Sequence, residues 1–245
     1  MNAASETAGI LVWNLQRKEL NSEAAAAQVE TIKTRAPDIS VLTETWIGWS
    51  DILGGNEVSA FGAVWSPTHA DERKILLWSA KPWKDPEWLA FEGSPVGRIV
   101  AATTETPIGS MRVVGVCIPY HGANMRRKFN PAPMWWEHRH YLMQMIKFIG
   151  GQSKSIPLVI AGDFNQRIPG KFAPKELQAS LIRALAGTTL HTSGEIGEER
   201  IKLIDHCATT DNLALEELNL VHAPVLGGTA VSDHTGVIMR ISRRD

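Results

Sequence analysis

The chain alternates short apolar, β-branched runs with a few stretches of helical periodicity, and polar turn residues separate them. Such runs are typical of buried strands. We predict strands at Gly9 to Leu15, Asp38 to Glu44, Gly62 to Ser66, Lys74 to Ser79, Arg98 to Thr104, Met111 to Ile118, Pro157 to Phe164, Leu203 to Thr210 and Thr235 to Ile241. The dense succession of strands between Gly62 and Ile118 indicates antiparallel meanders.

Three segments have a helical pattern. An Ala-rich stretch follows Asn21 and Ser22, whose side chains can cap it, and it ends near Pro37. Apolar residues at helical spacing predict two more helices, one from about Trp135 to Gly150 and one after Pro174. Because no period of about 20 to 50 residues repeats, the pattern favours a layered α/β fold, namely a β-sandwich flanked by helices.

Composition narrows the class of protein. With 245 residues and 44% hydrophobic content, we expect a single domain over residues 1–245, and we expect a monomer. The net charge is only -1, so affinity for nucleic acid would have to come from a local basic patch or a bound metal. Cys117 and Cys207 lie in apolar stretches and are interpreted as free thiols in a cytoplasmic protein, although a long-range disulfide stays open. No apolar run is long enough to span a membrane.

Polar residues stand at the ends of five predicted strands. They are Asn14, Glu44, Asp163 with Asn165, Asp205 with His206, and Asp233 with His234. Carboxylate and amide oxygens are the ligands that Mg²⁺ or Mn²⁺ prefers, whereas no closely spaced Cys/His set supports a structural zinc. Any one of these residues alone is more often a turn or cap residue. What indicates a common site is therefore their occurrence together, in this order, along one chain.

The ordered series WN, PDxxxLTE, GDFN, IDH and SDH resembles that of the endonuclease/exonuclease/phosphatase superfamily, from Trp13 to His234. GDFN and the terminal SDH are its most specific parts. The resemblance implies a four-layered α/β-sandwich, in which two mixed β-sheets pack face to face with helices outside. It also implies divalent-metal-dependent hydrolysis of phosphate esters at one rim of the sandwich.

The resemblance assigns roles to individual residues. It implies that Glu44 is the principal metal ligand, that Asn14 lies beside it, and that Asp233 lies near the metal or the leaving group. Asp163 resembles the residue that orients or deprotonates the attacking water, and Asn165 resembles its partner on the phosphate.

The histidine of SDH completes the implied site. His234 resembles the group that contacts a non-bridging phosphate oxygen, and Asp205 the carboxylate that holds its imidazole. A hydrogen-bonded carboxylate favours the charged imidazolium, which can neutralise charge that grows in the transition state. The resemblance leaves the general base open between Asp163 and His234.

One segment departs from the family pattern. Relatives carry a Tyr or His near the end of the strand that corresponds to Met111 to Ile118, but this chain has the run VCIPYHG there. Strict alignment on the proline puts Cys117 at that position, and Tyr120 and His121 follow a few residues later. We predict that His121 reaches the phosphate; Tyr120, or neither residue, is the alternative.

The loop after this strand contains Arg126, Arg127 and Lys128, a basic run that is either a solvated loop or a contact for the phosphate backbone. With this run, the motifs favour a nuclease on DNA or RNA, acting as an endonuclease or an exonuclease. The same chemistry on a phospholipid head group, an inositol phosphate or a small phosphodiester stays open. A non-catalytic binding scaffold is the remaining hypothesis, which the intact cluster of acidic residues disfavours.

Overall fold

A computed structural model describes residues 6–60, 70–89, 97–123, 132–153 and 155–244 of the chain. Two sequence predictions lie outside these residues. They are the strand from Gly62 to Ser66 and the basic run of Arg126, Arg127 and Lys128.

Two six-stranded sheets form the centre of the fold. The first sheet has the strand order β11 (Leu213–Val221), β14 (Gly236–Arg243), β1 (Ala8–Asn14), β2 (Ile39–Trp46), β4 (Glu72–Ser79) and β3 (Asn56–Ser59). The second has the order β5 (Trp83–Trp88), β6 (Ile99–Thr106), β7 (Gly109–Cys117), β8 (Leu158–Asp163), β10 (Asp205–Thr210) and β9 (Thr188–Leu190). A short hairpin joins β12 (Val225–Leu226) to β13 (Thr229–Ala230).

Both sheets are mixed. The pairs β1/β2 and β7/β8 are parallel, and the other ladders are antiparallel. Strands β6 and β7 are antiparallel neighbours, as predicted, and β5, which the sequence did not predict, extends them into a meander. The predicted strand from Lys74 to Ser79 corresponds to β4, which pairs with β2 and β3 in the first sheet instead. The two parallel pairs each require a long crossover, which α1 (Glu23–Arg35) and α3 (Trp136–Gly150) supply.

Three apolar clusters define four layers. The largest lies between the sheets and contains alternate residues of both, such as Val12 and Val41 from the first sheet and Val113 and Val159 from the second. A second cluster packs the outer face of the second sheet against α3 and α4 (Lys175–Ala184). A third packs the first sheet against α1 and α2 (Trp49–Leu53). The predicted four-layered α/β-sandwich is confirmed.

Helix α1 begins and ends as its sequence predicted. The Ser22 side chain accepts a hydrogen bond from the backbone N–H of Ala25 at 3.1 Å, which satisfies one free donor of the first turn. At the other end Ala36 adopts a left-handed conformation with a φ of 44°, directly before Pro37. The chain then enters β2, where Glu44 lies.

Candidate active site

A cavity of about 590 Å³ opens where the ends of β1, β2 and β8 meet. Eight of the predicted site residues line it: Asn14, Glu44, Tyr120, His121, Asp163, Asn165, Asp233 and His234. Asp205 lies directly behind this wall, in contact with His234. The fold therefore brings together residues that are distributed over nearly the whole chain.

The end of β8 carries Asp163 into this cavity. Gly162 precedes it with a φ of 137° and lies opposite Val116 of β7, so close that a side chain at this position would overlap the Val116 carbonyl. Asp163 in turn lies opposite Asp205 in the β8/β10 ladder. The ladder register thus places two carboxylates side by side in the interior.

Hydrogen bonds hold the Asp163 carboxylate in one orientation. Its Oδ1 accepts from the Asn165 backbone N–H at 2.8 Å. Its Oδ2 accepts from the side-chain amides of Asn165 at 3.0 Å and Asn14 at 3.1 Å. Asn165 has a φ of 51°, and this left-handed turn directs its amide back to Asp163 while Phe164 is buried in the core. The two polar groups of GDFN thus lie on one side and the ring on the other.

His234 is bound to Asp205. Its Nδ1 lies 3.0 Å from Asp205 Oδ2, and the same oxygen accepts a hydrogen bond from the Asn14 backbone N–H at 3.4 Å. The imidazole is held from behind, which leaves Nε2 on the cavity side, 3.9 Å from Asp233 Oδ1. This is the carboxylate–imidazole pair that the motifs implied.

Burial and charge move the pKa values of this group away from their ordinary range. Burial, reinforced by the negative charge of Asp205, raises the pKa of Asp163 to about 7, although His234 and the hydrogen bonds from Asn165 and Asn14 oppose the shift. Burial alone would lower the pKa of His234, but Asp205 and Asp163 outweigh it and raise the value to about 10. At neutral pH the imidazole is therefore charged, and Asp163 is close to its midpoint.

Glu44 lies in a different electrostatic environment. Its Oε1 is 2.9 Å from Lys74 Nζ, and its Oε2 is 3.4 Å from Arg17 Nε. Burial raises the pKa of Glu44, but Lys74, Arg17 and Arg98 outweigh that effect and hold it below its usual value. Glu44 is thus a carboxylate at any pH near neutrality, with 22% of its side chain exposed.

The remaining predicted residues lie at the rim. Asp233 has a 66% exposed side chain, and Tyr120 is 48% exposed. His121 packs its ring against Trp135 and Phe172, with ring centroids 5.6 Å and 4.8 Å away. Both Tyr120 and His121 line the cavity.

Cys117, the residue that strict alignment placed at the Tyr/His position, does not belong to the cavity wall. It is buried in the core between the sheets, where burial raises the pKa of its thiol to about 12. Its Sγ lies 3.5 Å from Arg98 Nη1. Strand β7 ends at Cys117, and the residues that line the cavity, Tyr120 and His121, follow Pro119. Cys207 is also free and buried, so the two cysteines form no disulfide.

Two parts of the site offer donors for a metal ion. Ligand atoms of Asp163, Asp205 and His234 lie within 4.8 Å of one another. Hydrogen bonds already occupy most of these atoms, and a charged imidazole is a poor ligand. Glu44 is a partly exposed, ionised carboxylate, and Asn14 and Gln16 line the same cavity. Carboxylate and amide oxygens fit a hard divalent cation there.

Sequence reasoning did not identify four cationic residues of the cavity. Arg17, Lys74, Arg98 and Arg167 all line it. Lys74 and Arg98 stand in or next to apolar strands, where a single basic residue is more often interpreted as a solvated edge position. Arg98 is buried, and its guanidinium donates to the Cys117 carbonyl at 3.0 Å. The only available signal was a basic residue within an otherwise apolar run.

A second cavity of about 570 Å³ adjoins the first. The two share Asn165, Arg167, Phe172 and Ile204 in their walls, and the second adds Trp135 and two lysines, Lys171 and Lys202. Phe172 is 68% exposed, and its ring centroid lies 5.5 Å from that of Trp135. An aromatic wall with a basic rim thus extends from the first cavity.

The helix–sheet–sheet–helix layers and the acid–histidine site together define a sandwich with its polar site at one rim. Solved structures with this fold include an endonuclease/exonuclease/phosphatase from Beutenbergia cavernae DSM 12333, at 16% identity and a TM-score of 0.68, covering 97% of this chain and 72% of that one. A humanised TDP2 from D. rerio has 14% identity and a TM-score of 0.70, with 96% and 99% coverage. A variant of the 3' phosphatase NExo from Neisseria, bound to a product DNA hairpin, has 17% identity and a TM-score of 0.69, with 95% and 98% coverage.

The family profile described as Endonuclease/Exonuclease/phosphatase family matches residues 11–234. The chain belongs to this family, as its motifs indicated. No curated protein matches it by sequence. Within the part of the chain that the structure describes, no helix has both the length and the apolar character to cross a membrane.

Proposed function

We propose that this protein is a divalent-metal-dependent phosphodiesterase that cleaves nucleic acid. The proposal rests on the residues that line one cavity. A carboxylate with a pKa near 7, a charged imidazole and an ionised glutamate face the same space there. Phosphodiester hydrolysis needs these three elements, because an anionic substrate repels its nucleophile and accumulates further charge in the transition state.

His234 supplies the positive charge on the substrate side. Its Nε2–H donates to a non-bridging phosphate oxygen, while Asp205 holds Nδ1 and keeps the ring charged. Asn165 lies on the same wall and assists in positioning the phosphate. Asp233 at the rim is placed for a contact near the leaving group, 3.9 Å from the imidazole.

Asp163 is the general base in this proposal. A charged His234 cannot accept a proton, whereas a carboxylate with a pKa near the operating pH is well matched to that task. The amides of Asn14 and Asn165 fix the orientation of its carboxylate, which lines the cavity where the attacking water would bind. The proposal therefore assigns the base to Asp163, one of the two residues between which the motifs left the choice open.

The metal that we propose is Mg²⁺, with Mn²⁺ as a substitute, held by Glu44 with Asn14 beside it. When bound there, such an ion supplies Lewis-acid stabilisation of the phosphate oxygens. The donor chemistry supports this assignment, because Glu44 is an ionised carboxylate that reaches the cavity.

Nucleic acid is favoured over a smaller phosphodiester by the adjoining cavity. A nucleobase next to the cleaved phosphate can stack on the exposed ring of Phe172, and Arg167, Lys171 and Lys202 can contact flanking phosphates. Related structures support the same substrate class, since one NExo structure holds a DNA hairpin and one TDP2 structure holds a single-strand DNA product. His121, Tyr120 and the Arg126 to Lys128 loop are proposed as further phosphate contacts.

The proposal is tested by incubating the purified protein with supercoiled plasmid, single-stranded DNA and RNA, with Mg²⁺, with Mn²⁺ and with a chelator. We expect metal-dependent cleavage that the chelator abolishes. A parallel panel contains bis-p-nitrophenyl phosphate, sphingomyelin and inositol phosphates. Turnover of these compounds without any cleavage of nucleic acid would contradict the proposed substrate class but agree with the proposed phosphodiester hydrolysis.

Three broader expectations belong to the same proposal. Residues 1–245 form a single domain, the protein is monomeric, and it functions in the cytoplasm. The two free, buried cysteines are compatible with a reducing compartment. Size-exclusion chromatography with light scattering tests the oligomeric state, and a dimer would contradict it.

A further inference from the structure

Lys74 occupies an unusual position for a lysine. It lies on β4, the strand that pairs with β2, and its side chain is only 2% exposed although it reaches the cavity wall. Its ammonium nitrogen is 2.9 Å from Glu44 Oε1 and 3.9 Å from Glu72 Oε1. A buried ammonium is retained only where carboxylates compensate it, so this lysine and its two acids form one unit.

The carboxylates of this unit already have cationic partners in the protein. Glu44 and Glu72 contribute two negative charges, and Lys74 and Arg17 contribute two positive ones. Arg98 adds a further positive charge that acts on Glu44. The attraction of a divalent cation to the Glu44 carboxylate is then largely offset by repulsion from these cations.

The geometry makes this competition direct. Lys74 donates to Glu44 Oε1, and Arg17 lies 3.4 Å from Oε2, so each oxygen already has a cationic partner. A metal ligand bond is only about 2.1 Å long for Mg²⁺. An ion bound to either oxygen would therefore lie close to an ammonium or a guanidinium unless that group moves away.

We infer that Lys74 is a built-in counter-ion of Glu44 that competes with the divalent cation and weakens its binding to the substrate-free protein. The inference rests on the proposed role of Glu44 as the metal ligand. An anionic phosphate in the cavity gives the ammonium an alternative partner, because Lys74 lies on the same wall as His234. Metal ion and phosphate then bind with positive cooperativity.

The test measures Mn²⁺ binding directly, by the loss of the free-ion electron paramagnetic resonance signal and by calorimetry. The proteins are the wild type, Lys74→Met, the double variant Glu72→Gln/Lys74→Met and Glu44→Gln. The matched control is Lys84→Met, which removes an exposed lysine paired with Glu105. The double variant removes one charge of each sign and so keeps the net charge of the wild type. It provides a second test if Lys74→Met alone does not fold.

We expect Lys74→Met to bind Mn²⁺ at least about tenfold more tightly than the wild type, and Lys84→Met to be unchanged. The double variant should also bind more tightly than the wild type, because Glu44 Oε1 is free of the ammonium, but less tightly than Lys74→Met, because the negative charge of Glu72 is lost. Added sulfate should tighten Mn²⁺ binding to the wild type more than to the Lys74 variants. Equal or weaker binding in folded Lys74 variants, with binding lost in Glu44→Gln, overturns the inference and leaves the proposed function intact. Unchanged binding in Glu44→Gln overturns Glu44 as the metal ligand and the inference with it, whereas the proposed cleavage of nucleic acid is judged by its own assay.

Discussion

Glu44 and Asp163 lie at two places in the wall of the same cavity, which we call its first and second corners, and their pKa values are shifted in opposite directions. In the first, Glu44 is surrounded by cations, and its pKa is held below the usual value. In the second, Asp163 lies beside another buried carboxylate, and its pKa is raised to about 7. The residue types alone are nearly the same. The difference shows that the neighbours decide whether a carboxylate is a permanently ionised ligand or a group that can exchange a proton near neutrality.

The largest effect is expected in the second corner. Asp163→Asn keeps the shape of the side chain but removes the proton acceptor, so kcat should fall by about 10² to 10⁴-fold on DNA with saturating Mg²⁺. Asp51→Asn changes an exposed carboxylate on α2 and serves as the control. Near-normal turnover of a folded Asp163→Asn protein would mean that another group accepts the proton.

Glu44→Gln tests the first corner, because it removes the ionised carboxylate there. Loss of the ionised ligand should lower activity at least about 100-fold at low Mg²⁺, with partial recovery as the concentration of metal rises. The measurement is the initial rate as a function of Mg²⁺ and Mn²⁺ concentration. An equal loss of rate at every metal concentration would contradict the role of Glu44 as a metal ligand.

A smaller and more diagnostic effect is expected from Asp205→Asn. Asp205 raises the pKa of both Asp163 and His234, so its neutralisation should move both limbs of the pH–rate profile to lower pH. In the wild type we expect an acidic limb near pH 7 and an alkaline limb near pH 10, with activity reduced about 10- to 100-fold in the variant. A pH titration of the His234 imidazole by nuclear magnetic resonance measures the second shift independently of turnover, and an unshifted resonance would contradict it.

The ion pair between His234 and Asp205 links pH to the stability of the fold. The folded pKa of His234, about 10, exceeds its ordinary value of 6.5. Its charged form therefore stabilises the fold fully below pH 6.5, and this contribution is lost as the pH rises toward 10. Thermal unfolding of the wild type should show this loss between those limits, and Asp205→Asn should weaken it. An identical pH dependence of Tm in both proteins would exclude the ion pair as its source.

The smallest effect is expected outside both corners. Phe172→Ala removes the exposed ring between the two cavities, so KM for single-stranded DNA should rise about fivefold to tenfold through lost stacking. The kcat for bis-p-nitrophenyl phosphate should remain unchanged. Ile182→Ala, an exposed apolar residue of α4, is the matched control. Equal losses on both substrates would place Phe172 in the chemical step instead.

The sequence predicted the inner strands better than the outer ones. Strands β1, β2, β7 and β8 lie inside the sheets, so each is an apolar run that can be recognised directly. The edge strands β5 and β11 were not predicted. They expose one face or both to solvent, and β11, with the sequence LALEELNLV, does not contain the continuous apolar run of an inner strand.

By itself, the sequence determined which acidic, amide and histidine side chains end the strands, and in what order. Their chemistry is local, because a residue type and its place at a strand end can both be seen in a few letters. Only the tertiary structure decided that Lys74 meets Glu44, that Asp205 lies beside Asp163, and that Cys117 is buried in the core rather than in the cavity. Protonation depends on burial and on neighbours that are distant in the chain, and these are properties of the packed sheets.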